Sequence, residues 1–106
     1  MTQGVEMIEK VYSYSVADAT AVERIVGGPD VRINHLSLAA GESLDPHPTP
    51  EAAHMIVTRG VLGITLNDQE QHRYGEGSIV AIPANTMLGI ANSGDVTMHL
   101  FVIKTV

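Results

Sequence analysis

The sequence predicts an all-β fold, an antiparallel barrel or sandwich forming a single domain. Three observations predict it. Short apolar, β-branched runs recur along the 106 residues, and each is closed by Gly, Pro, Asn or Asp. Turn signals separate these runs at close spacing, with no intervening stretches of helical period, which is the pattern of a barrel or sandwich and not of βαβ units. The length and an apolar share of 44% suit one core, and no linker, internal repeat or low-complexity tract divides the chain.

Taken in order, residues 5–11 alternate apolar and polar positions (Val5, Met7, Val11) and read as a first strand, at an edge or on a partner subunit. Ser15 and Asp18 have capping-box spacing, but the preferred reading of that segment is a loop. A strand over 21–26 leads to Gly27-Gly28-Pro29-Asp30, a turn by composition, and 31–39 pairs back as its hairpin partner. Residues 1–30 therefore carry the N-terminal strands and turn, and 31–103 the barrel proper. Further strands are expected over 61–66 and 71–74, joined at Asn67-Asp68, and over 96–102 after a turn at 92–95.

Composition excludes several classes of function. The net charge of −6, with no basic cluster along the sequence, argues against a nucleic-acid partner. Trp is absent and Phe occurs once, so base-stacking platforms are missing as well. With no cysteine, disulfides, thiolate catalysis and Cys-based zinc sites are excluded. No apolar run is long enough for a membrane span and no secretory leader is visible, so a cytoplasmic location is the expectation.

Two stretches organise the rest. Residues 41–60 run from a turn glycine through a proline-broken segment with two histidines (Asp45-Pro46-His47-Pro48-Thr49-Pro50-Glu51-Ala52-Ala53-His54) into Met55-Ile56-Val57 and Gly60. Residues 77–92 run from Gly77 through Ile79-Val80-Ala81-Ile82 to Pro83, turn, and resume to Asn92. Together they resemble the two motifs of the cupin family, with Gly41, His47 and Gly60 matching the first and Gly77, Pro83 and Asn92 the second. The resemblance implies a small antiparallel jelly-roll β-barrel, the cupin barrel, in which two histidines, a glutamate and a last histidine usually hold a metal. Three of those four positions differ here, where Thr49, Ala53 and Leu88 replace a histidine, the glutamate and the last histidine. A narrower resemblance is to small bacterial cupins that keep Ile33-Asn34-His35, a lone His47, Met55-Ile56-Val57 with Arg59-Gly60, and Gln71-His72 followed by Tyr74.

The resulting expectation is a small-molecule-binding cupin without the usual metal centre and with no cofactor. Its pocket is expected to draw on His35, His47, Thr49, His54, Met55, Leu88 and His99. The alternative is a small enzyme. It would depend on a divalent metal ion held by His47 and His54, with His35, or else use His47 as an acid/base. For His54 to face His47, a bulge must shift the register of its strand. A homodimer is also expected. The strands around 31–38 and 97–103 are apolar on both faces, with Ile33, Leu36, Leu38, Leu100, Phe101 and Val102, while a small barrel has one interior.

Overall fold

The computed structural model describes residues 8–105. Its strands are β1 (Ala21–Gly27), β2 (Val31–Leu38), β3 (Ser43–Thr49), β4 (Ala53–Arg59), β5 (Leu62–Leu66), β6 (His72–Tyr74), β7 (Ile79–Ile82), β8 (Thr86–Asn92) and β9 (Met98–Thr105). They form two antiparallel sheets, one in the order β1-β2-β9-β4-β7 and the other β3-β8-β5-β6. The first three residues of the expected first strand, 5–7, lie outside the described residues, and Ile8 to Val11 are exposed and not in a strand. Residues 15–18 form a loop, as read from the sequence, with the Ser15 hydroxyl accepting from Ala17 N at 3.2 Å.

Strand alternation fills the space between the sheets. Leu36 and Leu38 of β2, Met55 and Val57 of β4, Met98 and Leu100 of β9 meet Leu62 and Ile64 of β5 and Leu88 and Ile90 of β8, all of them buried. The proline-broken stretch becomes β3, an edge strand that pairs only with β8. There Pro46 and Pro48 remove donors that no neighbour needs.

The motif glycines have a backbone reason. Gly60 ends β4 at φ +78°, and a Cβ there would meet Met98 Cα at 3.0 Å. Only glycine turns the chain from one sheet to the other so close to β9. Asn92 closes the same end of the barrel. Its Nδ2 donates to Leu38 O at 2.9 Å and Val96 O at 2.8 Å, and its Oδ1 accepts from Gly94 N at 2.9 Å.

Candidate functional site

The opposite end of the barrel is open. Between the sheets lies a cavity of about 170 Å³. Its deep wall is apolar, from Leu36, Leu44, Met55, Leu88 and Ile90, while His47, Asn34 and Lys104 bring polar groups to the mouth. A bulge in β3 builds this arrangement. Leu44 pairs with Ile90 and His47 with Leu88, so one extra residue of β3 is absorbed between them and both side chains face inward. Strict alternation would send them to opposite faces. Across the bulge His47 Nδ1–H donates to the Asp45 carbonyl at 3.3 Å, which leaves Nε2 of the neutral ring as the acceptor.

The structure brings some of the sequence-predicted residues together and separates others. His47, Thr49, Met55 and Leu88 line the cavity. His54 does not. The pairing of β4 with β7 runs without a break from Ala53 to Ile56, so no bulge turns His54 inward, and it is exposed on the outer face between the inward Ala53 and Met55. His47 and His54 thus stand on opposite sides of the sheet and cannot share one ion. His35 belongs to the cavity wall, but its ring lies on the outer face, and His99 does not line the cavity. His35 pairs with Phe101 and Leu36 with Leu100, which puts the leucines inside and the His35 ring, with His99 two residues before Phe101, on the outer face.

Comparison with known proteins agrees with this architecture. The family model described as Cupin domain matches residues 34–104. The chain belongs to the cupin family. An uncharacterized protein of Methanocaldococcus jannaschii is 39% identical over 99 residues, covering 92% of this cupin and 85% of the relative. The crystal structure of an RmlC-like cupin family protein with a double-stranded β-helix fold from that organism superposes with a TM-score of 0.90, over 94% of this chain and 93% of the other, at 39% identity. A cupin superfamily protein of Desulfitobacterium hafniense shares the fold at a TM-score of 0.73 and 19% identity, covering 89% of this chain and 84% of that one.

The donor set at the metal positions of this cupin does not fit the family's usual centre. Beside His47 stand two hydrocarbons, Ala53 and Leu88, and Thr49, whose hydroxyl already donates to Thr86 O at 3.1 Å. Among the described residues no group of three or more His, Asp or Glu is placed to hold an ion.

The outer face of this cupin holds a polar network instead. His35, fully buried, donates through Nδ1–H to Glu23 Oε1 at 2.7 Å, and its Nε2 lies 3.0 Å from His99 Nδ1. Residues 14–20 cover it as a strap. Ser15 N donates to Glu23 Oε1 at 3.0 Å, Ser37 Oγ donates to Ala19 O at 2.7 Å, and Arg59 pairs with Asp18. The Tyr14 ring packs edge-on to Phe101 at 4.6 Å and lies over His35. Hydrogen bonds from Ser15 N and then from His35 hold the Glu23 carboxyl below its ordinary range. Burial, followed by the neighbouring His35, lowers the pKa of His99. The contact between the rings has room for one hydrogen between His35 Nε2 and His99 Nδ1.

The sequence reading missed Glu23 as the partner of His35, and Asn34 and Lys104 as mouth residues. A period-two signal was available for the last two, because Leu38, Leu36, Asn34 and Arg32 fall on one face of their strand and Met98, Leu100, Val102 and Lys104 on one face of theirs.

Proposed function

We propose that this cupin binds a small organic molecule in the mouth of its barrel, through its own side chains and without the family's usual metal centre. The observation that carries the reading is the cavity wall. It is apolar in depth, with a few convergent polar groups at the opening, which is the ordinary form of a ligand site. Its volume of about 170 Å³ suits an aromatic ring or a short alkyl group. A catalytic role for His47 has less support, because among the described residues no carboxylate lies within ion-pair distance to orient it as a general base.

Thermal unfolding with benzoate, phenol and short-chain alcohols tests the reading, comparing the wild type with Ala53→Leu, which grows from β4 into the cavity. At tenfold excess over its Kd a ligand stabilises the fold by about 1.4 kcal/mol, a rise of several degrees for a domain of this size. At least one probe should raise the wild-type melting temperature and none that of the folded variant. No response from any probe, or an equal response from the variant, would overturn the proposal.

The same reading includes a second copy of the chain. Ile79, Ile56, Phe101 and His35 form one row across the outer face of the five-stranded sheet, with Ile33 and Ile103 in the next. Ile79 is 67% exposed, and the segment before β1 adds exposed Val11, Tyr12, Tyr14 and Val16. An apolar band of this kind on a small barrel calls for cover.

A further inference from the structure

Along β2 and β9 the inner face changes character by one cross-strand pair at a time. Leu38 faces Met98 and Leu36 faces Leu100 in the core, then Asn34 faces Val102 at the mouth, and Arg32 faces Lys104 beyond it. β1 adds Arg24 directly opposite Asn34. The barrel wall therefore continues outward as a shelf, and Arg24, Arg32 and Lys104 line a cleft of about 400 Å³ with Val26, Gly27 and Asn34.

Three of the chain's six Lys and Arg residues meet there, in a protein whose net charge is −6. Like charges directly opposed across a strand pair oppose folding, so Arg32 and Lys104 sit together at a cost that nothing in the core requires. Glu51 answers part of this charge, its Oε1 accepting from Arg32 Nη1 at 3.1 Å. Among the described residues neither Arg24 nor Lys104 makes an ion pair. Three cations against one carboxylate leave two positive charges, which match a dianion. The shelf is not a separate site, since Asn34 and Lys104 belong to the walls of both the cleft and the barrel cavity.

We propose that Arg24, Arg32 and Lys104 form the head-group subsite of the barrel mouth, and that the ligand class is a phosphomonoester with a small apolar group that enters the cavity. The inference rests on the reading of the cavity as a ligand site and adds the chemistry of what it takes. Arg32 and Arg24 offer guanidinium forks to the phosphate oxygens, Lys104 a point charge at the boundary, and Asn34 an amide between head and tail.

Calorimetric titration with three probes, inorganic phosphate, phenyl phosphate and phenol, separates the two readings. Phosphate should bind the wild type weakly and phenyl phosphate at least tenfold more tightly. Arg24→Gln alone, whose side chain lies outside the cavity wall, should bind phenol unchanged, and the double variant R24Q/K104Q should bind phenyl phosphate at least tenfold more weakly than the wild type, the scale of losing charge-assisted hydrogen bonds. Without ligand that variant should melt no lower than the wild type, because opposed charges are relieved, which separates a binding role from a structural one. Phenol binding with no preference for phenyl phosphate, or equal affinity of the variant and the wild type for phenyl phosphate, would overturn the subsite and leave the cavity reading intact. Phosphate binding that the phenyl group does not strengthen would overturn the link to the cavity. Binding of none of the three would overturn both readings.

Discussion

Asn92 commits every polar atom of its side chain to backbone, fully buried at Leu38 and partly buried at Gly94 and Val96, joining the ends of β2 and β8 to the turn that starts β9. Truncation leaves the buried Leu38 carbonyl without a partner and removes two partly buried bonds besides, so Asn92→Ala should lose roughly 2–4 kcal/mol in denaturant unfolding. A loss under 0.5 kcal/mol would show that water replaces the amide there. The motif position was legible in the sequence, but its role was not, because the groups it joins lie as far off as Leu38. His47 makes the reverse case. Its motif position was readable, and its inward direction depends on a bulge that Asp45-Pro46 permits without announcing.

At the scale of elements, the strap over β1, β2 and β9 rests on groups that titrate. The folded-state pKa of His99 lies below its ordinary value, so below about pH 6.5 the unfolded chain takes up a proton that the folded chain resists. Stability from this group is complete above that pH and falls as the solution is acidified through it. Glu23 acts in the same direction at lower pH, its contribution being present above the ordinary carboxylate range and lost below it. Melting temperature should therefore fall between pH 7 and pH 5, and His99→Gln should flatten that limb. An unchanged slope in the variant would place the titration elsewhere. The strands themselves were readable from period and turn residues. The network was not, since the hairpin after Gly27 carries a register shift between Arg24 and Val26 that decides which β1 side chain meets His35.

For the whole molecule, the two ends of one barrel divide the work. The closed end is fastened by Gly60 and Asn92, and the open end presents an apolar cavity that grades into a cationic shelf. The sequence made the barrel legible because turn glycines and alternating strands act locally. It hid the shelf because Arg24, Arg32 and Lys104 come from three separated segments and no run of basic residues marks them. The outer face leads to a further expectation, that sedimentation equilibrium at micromolar concentration gives twice the 11.3 kDa chain mass. A monomer under those conditions would remove the second copy from the account.

The most direct measurement is an amide ¹H–¹⁵N correlation spectrum recorded while phenyl phosphate is added to the wild-type protein. The account predicts saturable shifts at His47, Met55 and Leu88 in the cavity and at Arg24, Arg32 and Lys104 on the shelf, with Arg59 and His99 on the outer face unmoved. Shifts centred on the outer cleft that Tyr14, Thr58, Arg59 and His99 line would contradict it, placing the ligand site outside the barrel.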